Sequence, residues 1–340
     1  MQLVRKPVLC NYYITYRCNA RCGFCDIWQQ PSPYVDVAQA RRNLEDLRTL
    51  GVKVIDFTGG EPLLHRQLPE LLAMAKELGF ITTVTTNALL YPRRAAQMAG
   101  LVDMLHFSLD AWEADLHNEM RGVNCYDSVL RSIEIALDLG ERPDILFTVF
   151  ERNFNQIKPV YERISYPNNL VLILNPAFDY CQVETGKPLT TSQLDKLQKW
   201  AKKPLVYLNK AFVQLIKDGG NQPERPVCRA GSSTVVISPQ NELIAPCYHL
   251  GVQKLPLNDN LLQVYRSAAA QRARAAAGRL AACRGCTINC YMQPSFAVNV
   301  NKYFWQALPS TLKYNRMKGT WKQLFGLTAK GSRPGATIDK

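Results

Sequence analysis

The sequence predicts an α/β fold: a partial (β/α)6 TIM-like barrel of parallel strands, followed by a small C-terminal α+β domain rich in cysteine. Three observations carry that expectation. Six strand–helix alternations with short connections fill the first half of the chain, the pattern of a parallel sheet wound with its helices outside. Polar and glycine-rich residues punctuate the ends of the strands, where parallel barrels place their chemistry. From Thr191 the alternation stops, and Cys228, Cys247, Cys283, Cys286 and Cys290 gather beyond it.

In order, Val8–Ile14 reads as a strand and is followed by a cysteine-bearing loop. Val37–Leu50 carries Leu44, Leu47 and Leu50 at helical spacing and stops at Gly51, a helix C-cap. Val52–Phe57 is the next strand and runs into Thr58-Gly59-Gly60-Glu61-Pro62. Helix Pro69–Leu78, strand Ile81–Thr86, helix Arg93–Ala99 and strand Met104–Leu109 follow, the strands ending at Asn87 and Asp110. Helix Asp127–Leu139, strand Ile145–Phe150, helix Gln156–Ile164 and strand Leu170–Leu174 complete the six units. Beyond them Thr191–Lys203 and Lys210–Lys217 read as helices, with a break at Asp218-Gly219-Gly220-Asn221. Thr234–Ser238 and Glu242–Ala245 read as a hairpin over Pro239-Gln240-Asn241, and Asp259–Ala277 as a helix. The expected organisation is a barrel over 1–190, connecting helices over 191–226, a cysteine-rich domain over 227–292 and a tail over 293–340.

The 340 residues, 47% hydrophobic and 20% charged, suffice for a full core. No apolar run is long enough to cross a membrane, and the N-terminus lacks the apolar segment of a secretory signal. Eleven clustered cysteines without an export signal point to metal ligation in a reducing compartment, hence a cytoplasmic protein. The net charge of +13 is concentrated at the end: Tyr291–Ile338 contains no acid but holds Lys302, Lys313, Arg316, Lys318, Lys322, Lys330 and Arg333. Interleaved with Tyr303, Phe304, Trp305, Tyr314, Trp321 and Phe325, these residues suit peripheral contact with the inner face of an anionic membrane. A segment docked on the barrel with a basic outer face is the reading weighed ahead of it, because aromatic-basic segments often simply pack. Nucleic acid is not an expected partner.

Cys18, Cys22 and Cys25, spaced C-x3-C-x2-C, supply three of the four ligands of an iron–sulfur cube. No Cys or His follows until His65, which leaves one iron open. A zinc knuckle uses the same residue types. The turn Gly59-Gly60-Glu61-Pro62 one strand later adds close-approach glycines and a carboxylate that suits an ammonium group.

Together the cysteine loop, with Phe24 before its last Cys, and the Gly-Gly-Glu-Pro turn resemble the radical S-adenosylmethionine (SAM) enzymes over roughly residues 8–175. The resemblance implies a 4Fe-4S cluster on Cys18, Cys22 and Cys25 whose open iron chelates SAM. It implies SAM contacts from Phe24, Gly59, Gly60, Glu61, Pro62, Thr86, Asn87, Ser108, Asp110 and Arg121, with Glu61 on the methionine ammonium and Phe24 on the adenine. It also implies reductive cleavage of SAM to a 5′-deoxyadenosyl radical that takes hydrogen from an unactivated carbon, with electrons from a flavodoxin or ferredoxin.

Cys228, Cys247, Cys283, Cys286 and Cys290 offer five thiols for a second, auxiliary 4Fe-4S cluster, and the layout resembles the SPASM and twitch extensions of that superfamily. Cys228, Cys283, Cys286 and Cys290 are the favoured four, with Cys247 as the alternative; a structural zinc site would draw on the same thiolates. Pro246-Cys247-Tyr248 and the final cysteine run are similar to adenosyl hopane synthase-type enzymes, which implies a hydrophobic, lipid-type substrate; another larger substrate stays open beside it. A peptide-modifying maturase and a non-catalytic iron–sulfur electron carrier are the alternatives. Tyr180 and Cys181, after the sixth strand, are candidate catalytic residues.

Overall fold

The computed structural model describes residues 6–178 and 189–320; Tyr180 and Cys181 lie outside the described residues, as do Trp321, Lys322, Phe325, Lys330 and Arg333. Ten strands form one sheet: β1 (Leu9–Thr15), β2 (Val54–Gly59), β3 (Ile81–Thr86), β4 (Met104–Ser108), β5 (Asp144–Val149), β6 (Leu172–Pro176), β7 (Val206–Tyr207), β8 (Thr234–Ile237), β9 (Glu242–Ala245) and β10 (Gln253–Pro256). Their order is β10-β9-β8-β1-β2-β3-β4-β5-β6-β7, parallel from β8 through to β7. Helices α1 (Val37–Leu50), α2 (Leu68–Glu77), α3 (Tyr91–Met98), α4 (Ala114–Arg121), α5 (Tyr126–Asp138) and α6 (Ile157–Val160) accompany the first six strands. There follow α7 (Thr191–Trp200), α8 (Lys210–Lys217), α9 (Leu261–Arg266), α10 (Ala268–Ala275), α11 (Asn289–Val298) and α12 (Lys302–Lys318).

The expected partial barrel is present, and the six strands are extended at both edges. The hairpin β8–β9 joins the barrel's own sheet, because Thr234–Ile237 pairs in parallel with Leu9–Tyr12. Asn241 sits at its tip with φ 59°, and Asn43 Nδ2 donates to both its Oδ1 (2.8 Å) and the Tyr12 hydroxyl (2.9 Å). Thus α1 fixes the hairpin's approach to β1. The helix expected over Asp259–Ala277 is two helices, because Ser267 leaves helical geometry and caps α10 through the Ala270 N–H.

Two apolar cores follow from the pleat. Tyr12, Ile55, Phe57, Val84, Phe107 and Phe147 point outward into the core beneath the surrounding helices. A second core joins Tyr13 and Val236 to Phe212 of α8, Met292 and Phe296 of α11 and Tyr303 of α12.

Residues 293–320, within the expected tail, continue α11 and then fold into α12, which docks across the N-terminal ends of the strands. Lys313 Nζ donates to the carbonyls of Ala201, Lys203 and Val206, and Lys318 Nζ pairs with Asp144 at 3.1 Å. Lys302 and the Tyr303 hydroxyl both meet Asp218 Oδ2, each at 2.7 Å. Much of the described basic charge is therefore spent within the fold, while Trp305 and Leu312 remain exposed. Among the described residues no helix is long and apolar enough to cross a membrane.

Candidate active site

The strand ends bring the predicted residues to one mouth. The loop Cys18–Cys25 leaves β1 and is clamped from two sides. On one side Arg21 N–H donates to the Arg121 carbonyl (3.1 Å) and Gly23 N–H to that of Met120 (3.2 Å). On the other, Asn87 Nδ2 donates to Asn19 Oδ1 (2.8 Å) and lies 4.0 Å from Cys18 Sγ. The Ala20 N–H also points at Cys18 Sγ, and Arg121 Nη1 lies 4.0 Å from Cys22 Sγ.

Arg121 sits in the mouth with its Nη2 2.5 Å from Asp110 Oδ2 and its guanidinium carbon 5.4 Å from the Phe24 ring centroid. Asp110 Oδ1 accepts from the Thr148 N–H, which ties the pair to β5. Ser108 is buried at the end of β4 beside them.

The Gly-Gly-Glu-Pro turn does structural work that the sequence reading did not foresee. Gly59 has φ 144°, and a Cβ there would lie 1.8 Å from the Thr15 carbonyl oxygen; one on Gly60 would lie 2.3 Å from that of Arg17. The two glycines let β2 press against the exit of β1, the root of the cysteine loop. Glu61 is buried, and its carboxylate accepts from Thr86 Oγ1 (2.7 Å), Asn87 N–H (2.8 Å) and Leu63 N–H (3.0 Å). Burial pushes its pKa up to about 7 against those three donors. Pro62 starts the short 3-10 turn that carries the Leu63 donor.

The thiols fit an iron–sulfur group. Burial pushes Cys18 up to about 12 and Cys25 to about 11, so bare thiolates are disfavoured until a cation offsets their charge. Sulfur-directed donors from Ala20, Asn87 and Arg121 suit the anionic form once it is bound.

The second centre is a cavity of about 50 Å³, lined by Cys228, Cys247, Cys283 and Cys286 among Ala230, Leu250, Ile288 and Met292. Four thiols facing one apolar space suit a second cluster's donor set. Cys290 does not line it. Of the five candidates, Cys228, Cys247, Cys283 and Cys286 line this cavity, so that Cys247 rather than Cys290 lies beside the other three. The reason is helical: Tyr291 and Met292 face the cavity, which turns Cys290 to the opposite side of α11.

Asn221, read in the sequence only as part of a break, is the hub of this centre. Its Nδ2 donates to the Gly278 and Cys283 carbonyls (2.8 and 3.1 Å), and its Oδ1 accepts from Val227 and Cys228 N–H (2.9 and 3.2 Å). Its backbone pairs with Cys286 O and Gly285 N. One buried amide therefore holds together the three segments that carry Cys228, Cys283 and Cys286.

Residues 12–164 match the family model described as the Radical SAM superfamily. The chain carries a radical SAM domain. Among curated proteins it is similar to Fe-coproporphyrin III synthase of Methanosarcina barkeri, 28% identical over 46% of this chain and 41% of the relative. It is also similar to a probable GTP 3′,8-cyclase of Sulfurisphaera tokodaii, 25% identical over 68% of this chain and 78% of the relative. The chain thus spans less than half of the first relative and about four fifths of the second. Among solved structures, Streptococcus suis SuiB bound to precursor peptide SuiA superposes with TM-score 0.65 at 18% identity, over 78% of this chain and 66% of that one. Native anSMEcpe with bound AdoMet superposes with TM-score 0.62 at 15% identity, over 94% and 99%. At these identities the structures report the fold, which continues past the radical SAM domain through the cysteine-rich segment. The family and its SAM-bound neighbours imply a 4Fe-4S cluster and SAM as cofactors.

Proposed function

We propose that this chain is a radical SAM enzyme that uses Cys18, Cys22 and Cys25 for its SAM-binding cluster and Cys228, Cys247, Cys283 and Cys286 for an auxiliary one. When bound, cluster and SAM supply a one-electron cleavage that yields a 5′-deoxyadenosyl radical able to abstract hydrogen from an unactivated carbon. The observation that carries the reading is the convergence of the three-thiol loop with the ends of β2, β3 and β4 on one mouth.

In this arrangement Arg121, held by Asp110, offers a fixed cation for a carboxylate beside Cys22. Asn87 and Asn19 orient the loop at Cys18. Glu61, already engaged by three donors, braces the turn, so an ammonium group would meet the turn's backbone carbonyls together with that carboxylate. Phe24 packs 5.2 Å from Phe150 and covers the mouth with apolar surface suited to an adenine face.

The GTP in the name of the Sulfurisphaera tokodaii relative supports a polar substrate, and the precursor peptide bound by SuiB supports a peptide as the second reading. A lipid-type substrate draws no support from the polar lining described below. Anaerobic reconstitution followed by an assay for 5′-deoxyadenosine from SAM under strong reductant tests the proposal. Formation that is abolished by Cys22→Ala supports it; a protein that binds iron yet never releases 5′-deoxyadenosine, with or without candidate substrates, is an electron carrier instead.

A further inference from the structure

Part of the barrel's inner face is polar, beside the apolar Tyr13, Leu146, Ile173 and Val236. The positions alternating with the outward core residues, among them Asn11, Asp56, Thr83, Thr85, His106 and Asn175, face the hollow. Parallel barrels ordinarily fill this space with branched apolar side chains. Here Asp56, Thr85, His106 and Asn175 each keep accessible surface.

The hollow has a floor and a wall. At its floor Tyr314 of α12 donates to Asp144 Oδ2 (2.6 Å) and lies 3.2 Å from His106 Nε2, with Lys318 on Asp144. Along its wall, α11 is tied to β6 by Asn289 and Asn175 (3.0 Å) and to β7 by Gln293 and Tyr207 (3.1 Å). The next residue on α11, Cys290, keeps accessible surface and lies on the face of the helix turned away from the apolar cavity, the side from which Asn289 and Gln293 reach β6 and β7. Asp56 contributes to raising its pKa, after burial, so the two groups share this space.

Asp56 is the unmatched group. It sits mid-strand on β2 with Asn11 and Thr83 in register on either side. Among the described residues it has neither a hydrogen bond nor an ion pair, only the longer-range field of His106, whereas the inward carboxylate Asp144 is matched by Lys318, His106 and Tyr314. A half-buried carboxylate that no side chain contacts directly is costly, and a bound cation or donor relieves that cost.

We propose that Asp56 is a specificity-determining residue of a substrate site in this hollow, and that the substrate is a polar molecule presenting a cationic group to it, an amine, a guanidinium or a protonated ring nitrogen. That the occupant is a substrate rests on the radical SAM reading; the preference for cations is a property of the hollow itself.

Cys290 provides the reporter. Anaerobic holoenzyme at pH 8, with SAM present and no reductant, is treated with trimethylammonium-ethyl or sulfonatoethyl methanethiosulfonate, and modification of Cys290 is followed by peptide mass spectrometry. Relative to N-acetylcysteine amide, the cationic reagent is expected to be favoured by about tenfold or more, and Asp56→Asn to bring the ratio within about twofold of that small thiol. Agmatine should protect Cys290 in the unsubstituted protein and glutarate should not, a result independent of how the variant folds. A ratio near that of the small thiol, a ratio unchanged in Asp56→Asn, equal protection by both compounds, or no modification by either reagent overturns the proposal. Formation of 5′-deoxyadenosine by the unsubstituted holoenzyme, assayed separately, reports on the radical SAM reading, so either can fail without the other.

Discussion

At Asn221 four hydrogen bonds converge on one buried side-chain amide, and each would be orphaned by truncation. Asn221→Ala should destabilise the fold by about 3 kcal/mol or more and lower iron content, and Asn221→Asp should be destabilising too, because it sets a buried carboxylate oxygen against the Gly278 and Cys283 carbonyls. Urea unfolding with iron analysis checks both; native-like stability in Asn221→Asp would contradict the donor role. His117 makes a second prediction. It accepts from the Asp110 N–H at Nδ1 (3.1 Å) with Nε2 against Cys125 Sγ (3.3 Å), and burial lowers its pKa to about 3. The unfolded chain then binds a proton below about 6.5 that the native state refuses, so stability falls by roughly 1 kcal/mol per pH unit from there down. His249, lowered to about 4, acts in the same direction. Denaturant midpoints at pH 7 and pH 5 should converge in His117→Gln relative to the unsubstituted protein; an unchanged difference would remove His117 from the account. The sequence named the residues of the mouth but not these braces, because a buried amide or imidazole acquires its role from partners far away in the chain.

The Gly59–Gly60 turn and the cysteine loop act as one element, because the backbone of β2 presses on the exit of β1. Gly59→Ala should therefore cost about 3 kcal/mol or more and disturb cluster loading, whereas Gly23→Ala, with nothing within 4 Å of its added methyl, should leave stability near that of the native protein. Thermal unfolding of the two variants side by side separates a steric from a merely local effect. Hydrophobic periodicity located α1, α2 and α5 to within a residue or two, and the mouth was legible because glycines, cysteines and short polar runs mark strand ends. Less legible were α11 and α12, where Pro294 and Pro309 interrupt the apolar spacing within the helices. The placing of Cys247, and not Cys290, at the cavity also escaped the sequence, since it depends on which face of α11 meets that space.

For the molecule as a whole, α12 closes the base of the barrel, and Lys318 is the cation that matches Asp144 there. Burial alone would raise the Asp144 carboxyl, but Lys318, His106 and Tyr314 together hold it below the ordinary carboxylate range. Lys318→Met should cost about 3–5 kcal/mol by leaving that carboxylate without its cation, read as a lower urea midpoint; a neutral result would mean that α12 does not seal the floor. Composition alone left this segment open to either docking or membrane contact, because it reports the charges but not the carboxylates and carbonyls they meet. The same limit applied to the second cysteine set, where five thiols were visible but not their cavity. The most direct measurement is therefore iron and sulfide in anaerobically reconstituted Cys247→Ala and Cys290→Ala. The account predicts about eight irons retained in Cys290→Ala and about four in Cys247→Ala. The reverse, or full retention in both, would contradict a second cluster held by Cys228, Cys247, Cys283 and Cys286.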